Sequence, residues 1–203
     1  KIQLINQKQA PFEDKELQDF LEKKNLNLKG TLDKKEAYSD ANYIIVSTPT
    51  NYDMQTGSFD TLSVSHAIAD SVSFNPSAMV IIKSTVPIGF TDSMRKKLKK
   101  SDIIFSPEFL RENKALYDNL YPSRIVVGSY SDKAIQFGKM LIDCSLKSES
   151  QIQLFNMESK EAEAVKLFSN AYLATRISFF NELDSFSETH NLSSKKIIEG
   201  VSS

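Results

Sequence analysis

The chain predicts a doubly wound α/β domain built on a parallel sheet, followed by one long helix. Three observations carry that expectation. Short β-branched runs are apolar on consecutive positions, as strands buried on both faces require. Helical stretches alternate with them, which is the pattern of βαβ units. From Ser159 onward the alternation stops, and about thirty residues follow with neither Gly nor Pro to break a helix.

Taken in order, the chain opens in a polar, helix-like segment, and a first helix is expected over Asp14 to Lys24. Tyr43 to Val46 reads as the first strand, and a helix over Asp60 to Ser73 leads to the second, Met79 to Ile82. A helix over Thr91 to Lys99 precedes the strand Ile103 to Phe105. Strands at Ile125 to Val127 and Ile152 to Phe155 flank a helix over Asp132 to Ile142. Each of these helices has an N-cap type of residue at or near its start. The stretch Ser159 to Asn191 is rich in Ala, Leu, Phe and Glu, and at 1.5 Å per residue it makes a helix of roughly 45 Å, too long for a crossover. Apolar residues surround most of it, so more than one neighbour has to cover it, which points to a second domain or a second chain. A domain boundary near Met157 separates residues 1–157 from residues 158–203.

Composition narrows the function classes. The chain has 203 residues, is 40% hydrophobic, and carries Lys+Arg 25 against Asp+Glu 26, a formal charge of -1. That balance gives no extended basic surface for nucleic acid. No apolar run approaches the roughly 18 residues of a membrane span. A lone cysteine, Cys144, cannot form a disulfide within the chain, and a reducing cytosol is the simplest compartment. His66 and His190 stand far apart without ligand-like companions, so no metal site is expected. Cys144 ends a helix in a Ser/Lys-rich stretch and reads as incidental rather than as a nucleophile.

In a doubly wound sheet, ligands bind beyond the carboxyl ends of the strands. Three such ends are chemically rich here. The first strand runs into Thr48-Pro49-Thr50-Asn51-Tyr52, the second into Ser84-Thr85-Val86-Pro87-Ile88-Gly89-Phe90, and the third into Ser106-Pro107-Glu108-Phe109-Leu110-Arg111-Glu112. Each turn taken singly is an ordinary strand stop with a helix cap; three in succession point to a site. The glycines tell against a complete dinucleotide motif. Gly30, Gly57, Gly89, Gly128, Gly138 and Gly200 include no G-x-G. Either the fold binds no nucleotide or its first βαβ element is missing.

The segments IIKSTVPIGFT, FSPEFLRENKALYDNLYPSRIVVG and EAEAVKLFSNAYLATRISFFNELDSF resemble the UDP-glucose/GDP-mannose dehydrogenase family. The resemblance runs from Lys1 to Ser203 and is loosest between Ser129 and Ser150. It implies NAD as cofactor, UDP-glucose as substrate and two successive hydride transfers, through a thiohemiacetal and a thioester on a cysteine, to a uronic acid. Residue by residue, Thr85 resembles the threonine that lies near nicotinamide and helps hold a catalytic water, and Glu108 the carboxylate that assists that water. Glu108, Phe109, Leu110, Arg111 and Glu112 resemble the loop that wraps the nucleotide sugar with its backbone. Glu112 also resembles a glutamate on the nicotinamide side, and Thr50 and Lys1 match cofactor-contacting positions. Lys166 and Asn170 match the lysine and asparagine beside the reacting sugar carbon. Members begin with a strand and a Gly-rich loop, and they carry their catalytic cysteine after the region matching Ile198-Glu199-Gly200. Coding sequence for both is therefore expected on either side of this segment, and the chain by itself is expected to form no NADH.

The chemistry of these residues agrees with the resemblance. Lys166 and Asn170 stand four apart, so a helix presents both on one face as donors for an oxyanion. Glu108, after a proline at a strand end, is expected to be partly buried, with a raised pKa suited to moving protons from water. A homodimer packed along the helix of residues 159–191 completes the expectation.

Overall fold

The computed structural model describes residues 1–54 and 57–202, with the backbone alone at Glu112. It divides into two compact units, Lys1–Ala164 and Val165–Ser203. In the first unit come α1 (Ile2–Asn6), α2 (Lys15–Lys23), α3 (Lys34–Tyr38) and β1 (Tyr43–Val46), then the small strands β2 (Tyr52–Asp53) and β3 (Ser58–Phe59). Next are α4 (Leu62–Phe74), β4 (Met79–Ile82), α5 (Phe90–Leu98), β5 (Ile103–Phe105), α6 (Ala115–Leu120), β6 (Arg124–Val127), α7 (Asp132–Asp143) and β7 (Gln153–Asn156). The helix α8 (Ser159–Thr189) starts in this unit and continues through the second, which ends in α9 (Ser194–Val201).

The sheet is the expected parallel one. β1 pairs with β4, Tyr43 opposite Met79 and Val46 opposite Ile82, and β4 pairs with β5, Val80 opposite Ile103 and Ile82 opposite Phe105. β6 and β7 form a second parallel ladder, Arg124 opposite Gln153. The two ladders meet at their edges: the Gly128 N–H donates to the Phe105 carbonyl at 2.7 Å, and the Ser106 hydroxyl donates to the Val126 carbonyl at 2.8 Å.

All four residues of β4 are at most 1% exposed, which is why the strand is apolar at every position. Successive side chains point to opposite faces. Met79 and Ile81 join Ile104, Ile125, Val127 and Ile152 beneath Phe137 and Ile142 of α7. The other face is covered by α4, packed on β1 and β4, and by α5, packed on β5.

Helix ends follow local rules at some places and tertiary ones at others. Asp14 and Ser131 cap α2 and α7 with their side chains, and Asp60 accepts the Leu62 N–H at the head of α4. Lys8 (φ 59), Lys99 (φ 51) and Asn191 (φ 52) all take the left-handed conformation that closes α1, α5 and α8. At Asn191 the Leu192 N–H returns to the Ser187 carbonyl at 2.8 Å, and α8 stops at Thr189.

Candidate active site

The carboxyl ends of β1, β4 and β5 lie side by side, so their loops meet at one edge of the sheet. The turn after β1 is tied to the turn after β4: the Ser84 hydroxyl donates to the Thr48 carbonyl at 2.6 Å, and the Lys83 N–H to the Val46 carbonyl at 2.8 Å. Ser63, in the first turn of α4, donates to the Pro49 carbonyl at 3.0 Å. Thr50 and Thr85 are both half-buried in these turns. After β5, Ser106 and Pro107 are buried, and the Ser106 N–H continues the ladder to the Ile82 carbonyl at 3.0 Å. The fold thus brings Thr50, Thr85 and Glu108 to one edge. Glu108 differs from expectation in its surroundings. It is exposed, directly after the buried Pro107.

A cavity of about 290 Å³ opens beside this loop, lined among others by Lys83, Glu108, Phe109, Leu110, Arg124 and Cys144. Lys83 follows the last residue of β4, and burial pushes its ammonium below the ordinary lysine range while Glu108 pulls the other way. The Arg124 guanidinium lies 3.9 Å from the centre of the Phe109 ring. Phe109 and Leu110 are half-buried. Arg111 is exposed, yet both its N–H and its guanidinium are taken by Asp118, at 2.8 Å from the N–H and at 3.0 and 2.6 Å from Nε and Nη2. That charge-assisted pair holds the Asp118 carboxyl below the usual range and braces the loop, so the Arg111 side chain is spent on its own protein. The side chain of Glu112, expected on the nicotinamide side, lies outside the described residues; its backbone opens a short 3-10 turn, Glu112–Lys114.

Lys1 stands exposed at the head of α1. In the second unit Lys166 is half-buried and Asn170 exposed, one turn apart on α8. Sequence reasoning passed over Lys83, Arg124 and Asp118. Lys83 had a signal, a cation ending the apolar run Met79 to Ile82, whereas the stacking of Arg124 on Phe109 joins two elements and had none.

Residues 1–143 match the NAD binding domain of the UDP-glucose/GDP-mannose dehydrogenase family, and residues 160–203 match its central domain. The chain belongs to this family. Among family relatives, the UDP-glucose 6-dehydrogenase of Campylobacter jejuni is 48% identical over 100% of this chain and 51% of its own length. That of Streptococcus pneumoniae is 46% identical over 99% of this chain and 52% of its own length. The chain thus spans about half the length of the curated relatives it matches. Solved structures share the fold: a GDP-mannose dehydrogenase from Pseudomonas aeruginosa (TM-score 0.86, 20% identity) and a UDP-glucose dehydrogenase from Pyrobaculum islandicum (TM-score 0.86, 24% identity) each match 98% of this chain and 48% of their own.

The family's dinucleotide fits the described residues in part. Half-buried hydroxyls at two adjacent strand ends, Thr50 and Thr85, suit the ribose and nicotinamide side. A diphosphate wants a free helix N-terminus, and those of α4 and α5 are filled by the carboxylates of Asp60 and Glu163.

Proposed function

We propose that the protein oxidises UDP-glucose to UDP-glucuronate with NAD as hydride acceptor, and that this chain supplies the nicotinamide-side residues and the oxyanion donors. The observation that carries the reading is the meeting of the β1, β4 and β5 ends, which puts Thr50, Thr85 and Glu108 at one edge of the sheet. The 48% and 46% identities to proteins named UDP-glucose 6-dehydrogenase support UDP-glucose as the substrate. Loss of a hydride and a proton converts the sugar C6 alcohol to an aldehyde, and loss of a second hydride, with one water added, gives the carboxylate. Bound NAD supplies the hydride acceptor in both steps. Thr85 and Glu108 position and deprotonate the water, Thr50, Lys1 and Glu112 contact the cofactor, and the Glu108 to Glu112 loop binds the nucleotide sugar. Lys166 and Asn170 donate to the oxygen on which charge develops. The thiolate for acyl transfer comes from elsewhere in the protein. Turnover of the full-length protein on UDP-glucose, UDP-N-acetylmannosamine and GDP-mannose is the test. Two NADH per UDP-glucose are expected, with the other sugars slower by roughly 10²-fold or more in kcat/KM. Preference for another sugar, or one NADH per sugar, would overturn the reading.

We also infer a cytoplasmic homodimer packed along α8, whose Phe168 is 71% and Tyr172 67% exposed with Ile177, Phe179 and Phe186 exposed as well. Among the described residues no helix is long and apolar enough to cross a membrane. Light scattering of the full-length protein is expected to give the mass of two chains at micromolar concentration; the mass of one would reject the dimer. We place the domain division at residues 157 and 158, in the gap between family matches that stop at residue 143 and resume at residue 160 and a few residues before the compact units part at 164 and 165.

A further inference from the structure

The N-terminus of α5 is capped from another element. Its N-cap is Gly89, at φ +88, which has no side chain to offer. The carboxylate comes instead from Glu163, in the first turns of α8. Its Oε2 accepts the Gly89 N–H at 2.5 Å, and its Oε1 accepts the Thr91 N–H at 2.9 Å and the Thr91 hydroxyl at 2.6 Å. Glu163 is 0% exposed, and a carboxylate so buried is tolerated only when donors surround it. Further bonds run parallel to these. Arg95 Nη2 donates to the Ser159 hydroxyl at 2.9 Å, that hydroxyl donates to the Gly128 carbonyl at 2.6 Å, and Lys160 lies 3.5 Å from Asp92. The start of α8 is thus tied to α5 by other bonds as well, so joining the two helices does not by itself account for Glu163.

What Glu163 holds is one end of the loop that carries Thr85. The loop leaves β4 pinned through Lys83 and Ser84 to the turn after β1, and its Val86 side chain is 1% exposed. It ends at Gly89, pinned by Glu163. Thr85 is thereby held between two fixed points. We propose that Glu163 is a positioning residue that acts through Thr85, fixing the far end of its loop so that the hydroxyl is presented at one place and in one direction. The proposal rests on the reading of Thr85 as a residue of the reaction site.

The two carboxylate oxygens have separate duties, which makes Glu163→Gln selective. An amide oxygen can serve the Thr91 donors, but the amide NH2 would then face the Gly89 N–H, donor against donor. In the full-length protein, Glu163→Gln is expected to speed amide hydrogen exchange across residues 84–91 and to lower kcat roughly tenfold, with the KM for UDP-glucose within about twofold of the parent. A double-mutant cycle separates positioning from general support of the fold: with Thr85→Ala already present, Glu163→Gln should cost little more. Should Glu163→Gln fail to fold, Thr91→Val removes one of the three donors and is expected to show a smaller effect of the same kind in the same cycle. Unchanged exchange or unchanged kcat in a folded variant would overturn the proposal, and so would a loss that adds in full to that of Thr85→Ala. A parent that shows the exchange contrast yet forms no NADH from UDP-glucose would overturn the functional reading while leaving the loop anchor in place.

Discussion

Lys166→Ala in the full-length protein is expected to lower kcat by roughly 10²-fold or more while fold and assembly persist. Lys166 is a half-buried helix residue one turn before Asn170, and alanine is the best helix former, so α8 loses nothing of its backbone preference. On the proposed reading, what disappears is a cationic donor to an oxygen that gains charge only as the reaction proceeds. Loss of an interaction made only in the transition state lowers kcat and kcat/KM together, and that is the pattern to look for. Turnover at the parent rate in a variant with the parent's circular dichroism and light-scattering mass would make Lys166 an ordinary surface lysine and remove the oxyanion role.

Phe137→Ala should act on the opposite kind of quantity, costing about 3–5 kcal/mol of stability with little change in site chemistry below the unfolding transition. Phe137 is 0% exposed on α7, with its ring centre 5.6 Å from that of Tyr43, over a core that includes Ile81, Ile125 and Val127. Truncation leaves a cavity in that core. Tyr43, Ile81, Ile125 and Val127 belong to strands of both ladders, so the loss falls on the junction of the sheet itself. Urea unfolding of this chain measures it, and a loss of less than about 1 kcal/mol in unfolding free energy would mean that α7 does not close the core in the way its packing indicates.

Much of this fold was legible from pattern. β1, β4 and β5 begin and end at the residues their apolar runs mark; β4 and β5 are buried on both faces and so have to be apolar throughout, whereas β1 leaves Ile45 exposed. β6 begins one residue earlier than its apolar run, at Arg124, and β7 is displaced by one, to Gln153–Asn156, since hydrogen-bond register rather than side-chain type ends a strand. The caps were legible where they are local: Asp14 and Ser131 serve N–H groups three residues on. At α5 the same rule failed, because the capping carboxylate stands 74 residues from Gly89.

The site divides along the same line. Hydroxyls, prolines and carboxylates after three strands stand in the sequence itself, and the parallel order of those strands is enough to bring their ends together. Glu108 shows the limit of that reasoning: its place at the strand end was readable, but whether it would be buried depended on the path of the chain after Pro107. The burial of Lys83, the stacking of Arg124 on Phe109 and the cap that Glu163 gives α5 were decided by tertiary structure. Periodicity and propensity report on neighbours within a turn or a strand pair, whereas these contacts join residues that only the completed packing of sheet and helices brings together.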